Sequence, residues 1–240
     1  MGQRLAKFMA RTGVCSRRQA EEYIFEKRVT VNGEIVDTPA FNVNGDEVIL
    51  FDGEKLPALE QTMLYLYYKP VGLVTTHKDE KGRTTVFDAL PKTLPRLISV
   101  GRLDLNSEGL LLLTNNGELA RELELPKNAW SRRYRVRVHG KVDQQKLKAL
   151  ENGVEIDGVS YGKVSINIDQ ITSTNAWLTV TLNEGKNREI RKLMKYVGLE
   201  VARLIRVSYG PFQLGNIKRG EIRQVPQKVL KEQLGGRFEI

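Results

Sequence analysis

The sequence predicts an α+β protein, in which helices pack on a mixed and mainly antiparallel sheet, with a smaller α-β domain at the N-terminus. The predicted strands and helices interleave, but most links between strands are short and hairpin-like, which favours antiparallel pairing. The uncharged apolar run at residues 110–113 ends in turn-forming residues, as is typical of a buried strand. Residues 54–62 contain a proline and few periodic apolar positions, so we expect a linker there between domains at 1–53 and 63–240.

The charge balance of the chain favours a polyanionic partner. Its 240 residues include 38 lysines and arginines against 29 aspartates and glutamates, which gives a formal net charge of +9. A positive field of this size attracts polyanions, of which nucleic acid is the first candidate. A basic enzyme without such a partner is the alternative that the composition leaves open.

Cysteine and histidine are too scarce for disulfides or the common metal centres. Cys15 is the single cysteine, and His77 and His139 lie far apart in the sequence. No apolar stretch approaches the roughly 20 residues that span a bilayer, and basic residues interrupt the N-terminal segment where a signal peptide is apolar. We therefore expect a cytoplasmic protein without a bound metal.

The first 50 residues predict two helices followed by a hairpin. Apolar residues at helical spacing occupy residues 5–13, and Ser16 and Gln19 have the spacing of a capping box that starts a second helix ending near Lys27. Two alternating apolar runs then flank Asn32-Gly33, which is a strong hairpin signal. Basic residues therefore stand at both ends of the second helix.

Periodicity places the remaining elements. Strands are predicted at residues 43–51, 63–68, 72–76, 110–113 and 131–138, as short strands within 153–168, and at 176–182; helices are predicted at 85–90, 118–124, 142–150 and from 187 to about 198. In the strand at 131–138, Arg133, Arg135 and Arg137 alternate with apolar residues and so share one face.

Residues 101–109 form a polar loop that leads directly into the buried strand. The loop carries Asp104 and Glu108 with Arg102 close by, and two glycines flank it. A buried strand can hold one end of such a loop in place, which a catalytic side chain requires. An ordinary surface loop with solvated charges is the alternative.

A second polar segment, residues 183–194, follows the strand at 176–182. Asn187 is expected to cap a helix, and Arg188, Lys192 and Lys195 share a face that suits phosphates. Arg191 falls at the edge of the apolar stripe, where a guanidinium needs a partner carboxylate, and Asp104 is the candidate. A purely structural ion pair, or an arginine that extends to water, are the alternatives.

Taken together, these motifs resemble the RsuA/RluB family of ribosomal RNA pseudouridine synthases. The matching segments are Tyr67-Tyr68-Lys69-Pro70 with Gly72, Gly82-Arg83, Gly101-Arg102-Leu103-Asp104, Glu184-Gly185-Lys186-Asn187-Arg188-Glu189-Ile190-Arg191, and residues 204–210. The version at 187–193 is similar to the branch that acts on large-subunit rRNA. The resemblance implies a pseudouridine synthase sheet, no cofactor, and the isomerisation of a flipped-out uridine in ribosomal RNA.

The resemblance also implies roles for individual residues. Asp104 matches the nucleophilic aspartate, Tyr134 the tyrosine that stacks on the target base, and Arg191 the basic partner of the aspartate. Leu193 matches the apolar residue that closes the pocket, and the pocket also includes Arg102 and Leu103, while Lys186, Asn187, Arg188 and Lys192 are expected to contact RNA. Whether the aspartate acts as nucleophile or base stays open.

Residues 1–53 resemble the small RNA-binding module first described in ribosomal protein S-four. The resemblance implies that Arg17, Arg18, Lys27 and Arg28 contact RNA phosphates. The expected partner is therefore ribosomal RNA, bound by a monomer and without a membrane.

Two other functions compete with this interpretation. One is a metal-dependent RNA hydrolase that uses Asp79, Asp88, Asp104 and Glu108, since two-metal sites need clustered carboxylates. The other is a non-catalytic ribosome-assembly factor that keeps the fold and binds rRNA.

Overall fold

The computed structural model describes residues 2–235 and residue 238; residues 1, 236–237 and 239–240, at the outer ends of the two predicted domains, lie outside the described residues. The helices are α1 Leu5–Arg11, α2 Arg17–Phe25, α3 Gly117–Glu124, α4 Gln144–Leu150, α5 Glu189–Tyr196 and α6 Gln227–Leu234, with a 3-10 helix at Pro126–Asn128. The strands are β1 Gln3–Arg4, β2 Val29–Val31, β3 Glu34–Val36, β4 Asn42–Val43, β5 Ile49–Phe51, β6 Glu54–Lys55, β7 Leu64–Lys69, β8 Ile98–Val100, β9 Glu108–Thr114, β10 Arg132–His139, β11 Val154–Ile156, β12 Val159–Tyr161, β13 Val164–Ile171, β14 Asn175–Leu182, β15 Glu200–Tyr209, β16 Phe212–Gln213 and β17 Ile222–Gln224.

The N-terminal part folds as its local sequence signals predict. The Ser16 hydroxyl accepts from the Gln19 amide and the Gln19 side chain returns to the Ser16 amide, so the capping box at the start of α2 is present. Asn32 and Gly33 both have positive φ, 51° and 87°, as the two-residue turn between β2 and β3 requires. Strands β3, β2, β5 and β6 form one small sheet in that order.

Two expectations for this part are wrong in detail. The single strand predicted at 43–51 is divided, because β4 pairs with β1 whereas β5 pairs with β2. The predicted linker begins too early, since β6 pairs with β5 and Leu56 is buried in the core of the N-terminal part. Apolar periodicity could not reveal that a two-residue strand of charged side chains is held by its backbone alone.

The larger part is built on one nine-stranded sheet. Its strands follow the order β13-β14-β10-β15-β9-β7-β17, with β16 beside β15 and β8 beside β9. Among the described strands of this sheet, the contact between β15 and β9 is parallel and the other pairings are antiparallel. The predicted α+β class with a mainly antiparallel sheet is confirmed.

Each face of the sheet carries its own apolar core. Helices α4 and α5 pack on one face, where Leu147 and Leu193 meet the apolar side of β10 and β14. Helices α3 and α6 pack on the other face, where Leu119 and Leu230 meet Leu110 of β9. Strand β9 is buried along its whole length and therefore supplies both faces of the sheet.

The segment at residues 72–90 contradicts the prediction of a strand and a helix. Val74 and Thr85 form only an isolated bridge, and residues 86–89 form turns. The Asp88 carboxylate accepts from the amide and the hydroxyl of Thr85, both at 2.8 Å. Such side-chain contacts to the local backbone compete with helix formation, so the helix predicted from apolar periodicity at residues 85–90 does not form.

Gly109 lies where β9 and β15 run side by side. Its φ is +103°, and a Cβ added there would meet the Arg206 backbone, with the amide nitrogen at 2.7 Å and the carbonyl oxygen closer still. Only glycine allows the two strands to approach at this point. The strand that carries the loop at 101–107 is therefore fixed against β15 without an intervening side chain.

We expect Gly109→Ala to lower the free energy of unfolding by more than about 2 kcal/mol, because neither backbone can move aside without breaking the strand contact. Urea denaturation measures this change. Gly117→Ala is the matched control, since its added Cβ would lie 3.7 Å from Ile98 and helix α3 favours alanine. Equal stability of the two variants would contradict the close approach.

Candidate active site

A cleft of about 1220 Å³ opens on the sheet face that carries α5. Its walls come from the loop before β9, from the 183–189 segment, and from the ends of β10 and β15. Of the residues predicted for a catalytic site, Arg102, Leu103, Asp104, Tyr134, Lys186, Asn187 and Arg188 line this cleft. Segments more than eighty positions apart in the sequence therefore meet in one place.

The loop that carries Asp104 is fixed from beneath by Lys69. This side chain is fully buried, and its Nζ donates to the carbonyl oxygens of Pro70 at 3.0 Å, Asp104 at 3.1 Å and Ser107 at 3.0 Å. Burial lowers the pKa of Lys69 to about 8, against the charges of Asp104 and Glu108, which raise it. The ammonium supplies three donors to three carbonyls and so fixes the loop backbone at Asp104 and at Ser107.

The segment at residues 72–75 also holds this loop, through three hydrogen bonds to its backbone. The Thr75 hydroxyl donates to the Leu103 carbonyl at 2.9 Å and accepts from the Leu103 amide, and the Gly72 amide donates to the Leu105 carbonyl at 2.9 Å. The segment whose secondary structure was predicted wrongly thus has a clear function in the fold. It braces the loop around Asp104.

The predicted direct ion pair between Asp104 and Arg191 is wrong. The guanidinium within ion-pair distance of Asp104 belongs to Arg188, with 3.8 Å between Nη1 and Oδ2. Arg191 instead donates to the backbone carbonyls of Asn106 at 2.8 Å and Val201 at 3.2 Å. Burial lowers the pKa of Arg191, the charge of Arg188 lowers it further, and Asp104 raises it.

The start of α5 explains this exchange of arginines. Arg188, and not Asn187 as predicted, is the N-cap, and its φ of 51° lies in the left-handed region. Helix α5 therefore begins one residue later than the sequence suggested, which leaves Arg188 in the cleft wall and places Arg191 in the first turn against the Asp104 loop. Both arginines thus contact the loop, one through its carboxylate and one through its backbone.

Tyr134 lies on β10 and lines the cleft with only 8% of its surface exposed. The apolar wall beside it is formed by Leu182, Ile190 and Leu204. Leu193, the residue expected to close the pocket, is fully buried in the core cluster that includes Tyr134, and it does not line the cleft. With α5 starting at residue 189, Ile190 occupies the wall and Leu193 points into the core.

The 183–189 segment is held by its own charges. The Lys186 ammonium pairs with Glu184 at 2.6 Å and donates to the Ser160 carbonyl, while the Lys186 amide donates to the buried Glu189 carboxylate at 2.9 Å. Burial and the hydrogen bond with Glu184 raise the pKa of Glu189 to about 7. Lys186 is therefore already committed to a carboxylate, whereas Asn187 and Lys192 are exposed, the latter outside the cleft.

The basic residues predicted in the N-terminal part lie outside the cleft lining. Arg17, Arg18 and Lys27 are exposed, and Arg17 pairs with Glu21 at 3.5 Å. Arg28 is bound by Asp52 and Glu26 and covers the rings of Tyr23 and Phe51. Arg18 and Lys27 thus remain open to a partner without breaking an ion pair, whereas Arg17 and Arg28 are each paired with a carboxylate.

The four carboxylates of the hydrolase alternative do not converge. Asp79 pairs with Arg83 at 2.7 Å, Asp88 is bound by Thr85, and Glu108 is bound by Arg203 and Arg219. Within residues 2–235, no group of three or more potential metal ligands comes together. In the same described part of the chain, no helix is long and apolar enough to cross a membrane.

Two residues at this site were missed by sequence reasoning. Lys69 was named only within the matching segment Tyr67-Tyr68-Lys69-Pro70, and its position gave no sign that its ammonium is buried. Arg206 lies beside Tyr134 on β15, is 3% exposed, and donates from Nε to the Leu110 carbonyl at 2.7 Å. Its Nη2 is buried and has no hydrogen-bond partner among the described residues.

The chain is similar to known proteins over nearly its whole length. A family described as RNA pseudouridylate synthase matches residues 63–196, and the S4 domain matches residues 3–49. A protein of Rickettsia bellii named "Uncharacterized RNA pseudouridine synthase" is 52% identical over 95% of this chain and 99% of its own length. A "Ribosomal large subunit pseudouridine synthase B" of Yersinia pestis is 42% identical over 89% of this chain and 69% of its own length. A solved structure named "Crystal structure of pseudouridylate synthase" covers 96% of this chain and 99% of its own, with 27% identity and a TM-score of 0.67.

We expect Lys69→Met to lower the free energy of unfolding by about 2 kcal/mol, because three buried carbonyls lose their donor.

Between pH 8 and pH 10.5 the unfolded chain binds more protons at Lys69 than the folded chain does, so this residue makes wild-type stability rise with pH in that window. The Met variant lacks that rise. Urea denaturation at pH 8 and at pH 10.5 measures the change in the free energy of unfolding, with Lys146→Met on the exposed face of α4 as control. Identical pH profiles of wild type and Lys69→Met would contradict the lowered pKa of Lys69.

Proposed function

The chain belongs to the RNA pseudouridylate synthase family, and on this premise we propose that it converts a specific uridine of large-subunit ribosomal RNA to pseudouridine. The observation that supports this proposal most directly is the meeting of Asp104, Tyr134 and Arg188 in one cleft. The relatives named as large-subunit synthases support the choice of RNA.

The reaction exchanges one bond of the nucleoside for another. The bond between C1′ of the ribose and N1 of uracil breaks, a bond between C1′ and C5 forms, C5 loses its proton and N1 gains one. Atoms and oxidation state are unchanged, so the reaction itself requires no cofactor.

In the proposed mechanism Asp104 is the nucleophile that attacks C1′. Breaking the glycosidic bond develops positive charge on the sugar, and a carboxylate held beside it can both stabilise that charge and form the covalent intermediate. Arg188 at 3.8 Å keeps a positive charge next to Asp104, while Lys69 and Arg191 hold the loop backbone at Asp104 and at Asn106. Only Asp104 touches the reacting atoms; the three cations position it.

The target uridine must leave its stack before the carboxylate can reach C1′. Tyr134 offers an aromatic surface for the extruded base, and Leu182, Ile190 and Leu204 offer an apolar wall beside it. Arg102 in the cleft lining and Lys192 on the exposed side of α5 are available to the flanking phosphates. Such contacts order the RNA backbone around the flipped nucleotide.

The proposed division of labour follows the domain organisation predicted from the sequence. Residues 1–53 would bind structured RNA through Arg17, Arg18 and Lys27, and residues 63–240 would carry out the isomerisation. The two parts have separate apolar cores, and the polar contacts between them include the Lys7–Glu118 ion pair and a hydrogen bond from Arg11 to Thr62 at 2.9 Å. We also propose that the protein acts as a monomer in the cytoplasm, where its buried Cys15 stays reduced.

We expect Asp104→Asn to abolish pseudouridine formation while RNA binding persists, since the amide keeps the size of the carboxylate but cannot act as a nucleophile. The test maps pseudouridines in large-subunit rRNA from a strain that lacks the protein, complemented with wild type or with the variant. Asp157→Asn is the matched control, because it makes the same carboxylate-to-amide change at an exposed turn outside the cleft lining.

If only the wild-type protein restores the missing pseudouridine, both the proposed substrate and the role of Asp104 are supported. Restoration by Asp104→Asn as well would remove the nucleophile assignment. An rRNA with an unchanged pattern in the deletion strain would remove the large-subunit proposal and leave the assembly-factor alternative.

Removal of residues 1–55 is expected to weaken rRNA binding while the remaining chain unfolds cooperatively, because the nine-stranded sheet uses no strand from that part. Filter binding measures the affinity for rRNA. Thermal denaturation shows whether the truncated chain is folded. A double Arg17→Gln, Arg18→Gln variant of the full chain is expected to weaken rRNA binding in the same direction, because it removes two of the proposed phosphate contacts and keeps the fold. A truncated chain without a cooperative transition would contradict the proposed boundary.

A further inference from the structure

We propose that the sheet face opposite the cleft carries a second binding site for an RNA backbone, formed by a cluster that we call the back-face arginines. The cluster consists of Arg133, Arg135, Arg137, Arg203 and Arg219. The proposal rests on the proposed function only in taking RNA as the partner.

Strand geometry places these side chains together. Tyr134 lines the cleft, so Arg133, Arg135 and Arg137 on the same strand point to the other side of the sheet. All three are exposed. Arg203 of β15 lies opposite Arg137 in register and therefore shares that face.

A buried carboxylate joins Arg203 to Arg219. Glu108 is 3% exposed, and its two oxygens bind Arg203 at 2.5 Å and Arg219 at 3.0 Å, with the Tyr68 hydroxyl at 3.1 Å. Burial raises the pKa of Glu108, but Arg203, Tyr68 and Arg219 outweigh it and hold that pKa below its ordinary value. The carboxylate thus orients two guanidiniums at the surface and is itself inaccessible to solvent.

The cluster keeps more positive charge than its own fold neutralises. Arg133 and Arg137 have no ion pair within the described part of the chain, and Arg135 reaches only Asp169, at 4.0 Å. Arg137 stands directly opposite Arg203, and like charges in such a cross-strand pair destabilise a sheet. An anion bound between these guanidiniums would relieve that repulsion.

The neighbouring strand leaves room for that anion. Trp177, Thr179 and Thr181 of β14 lie beside Arg137, Arg135 and Arg133, so the adjoining row on the same face is neutral. The Arg135 guanidinium is stacked on the Trp177 ring at 4.8 Å, which restricts its motion and lowers the entropy lost on binding.

A repeating polyanion fits this surface better than a single acidic group. Alternate residues on a strand are about 6.7 Å apart, so the row of β10 presents guanidiniums at a regular spacing along the strand. One guanidinium can donate two parallel hydrogen bonds to two oxygens of the same phosphate, and every nucleotide offers one phosphate. We therefore assign the site to the sugar–phosphate backbone of RNA outside the segment that enters the cleft.

The consequence is a preference for large folded RNA over an isolated stem–loop. A short substrate that fills the cleft cannot also reach the opposite face of the sheet. Folded ribosomal RNA can supply a second strand or helix there. The back-face arginines then add affinity and leave the chemical step unchanged.

The test compares Arg133→Gln/Arg137→Gln with Lys146→Gln/Lys148→Gln. Both variants lose two exposed positive charges, and the second loses them on α4, on the other side of the sheet. Binding of in vitro transcribed large-subunit rRNA is measured by filter binding over a range of KCl concentrations. The arginine variant is expected to bind about tenfold more weakly at low salt and to show a salt slope smaller by about 2, one for each lost phosphate contact.

A short stem–loop taken from the same rRNA is bound equally by wild type and both variants if the site lies outside the cleft. Equal loss of rRNA affinity in the arginine and lysine variants would overturn the proposal, because net charge alone would explain it. Unchanged affinity of the arginine variant would also overturn it and would direct attention to an acidic protein partner. Thermal denaturation confirms that each variant is folded.

The outcomes separate this proposal from the proposed function. Binding requires no turnover, so back-face dependence in a protein that fails to form pseudouridine would refute the function and keep the site. Normal pseudouridine formation with unchanged rRNA affinity in the arginine variant would refute the site alone.

Discussion

The contact on which the active site depends is the buried ammonium of Lys69 with three backbone carbonyls. A charged amine in an apolar sheet is costly unless every proton finds an acceptor, and the loop around Asp104 supplies two of the acceptors. The same contact therefore satisfies the lysine and determines the course of the loop. Arg191 acts on the loop in the same way, because its partly buried guanidinium donates to the Asn106 carbonyl. Asp104 thus owes its position to cations that bind the backbone around it, and its own carboxylate stays partly exposed and available to a substrate.

The sheet brings these distant pieces together through one close approach. Helix α5 leads into β15, and β15 runs parallel to β9 at Gly109, five residues after Asp104. The absence of a side chain at this glycine lets the two strands come close enough for Arg191 to reach the loop. Packing at a single backbone position is therefore coupled to the electrostatics of the cleft. The other face of the same strands carries the Glu108 contacts, so one pair of strands organises charge on both sides of the sheet.

Local sequence patterns predicted the elements that local forces determine. The capping box at Ser16, the turn at Asn32-Gly33, the buried strand β9 and the alternation in β10 are all present, because each follows from interactions within a few residues. The sequence failed where a tertiary contact decided the outcome. Thr85 and Asp88 close a turn in place of a helix, and Arg188 adopts a left-handed conformation that no propensity indicates. The cleft could be predicted as a set of segments, but the partner of each arginine depends on a helix start that shifts by one residue.

The short connection between the two RNA-binding parts has a thermodynamic consequence. Leu56 is anchored in the N-terminal core, and Thr62 is bound by Asn116 and Gln227 of the larger part, so only residues 57–61 connect the two anchors. Five residues span at most about 17 Å even when fully extended. When one part holds an RNA, the other is therefore kept at a local concentration of about the millimolar range, and its own contact forms as an intramolecular step. Two contacts with the same RNA then strengthen each other, and an RNA that offers sites farther apart than this reach gains no such advantage.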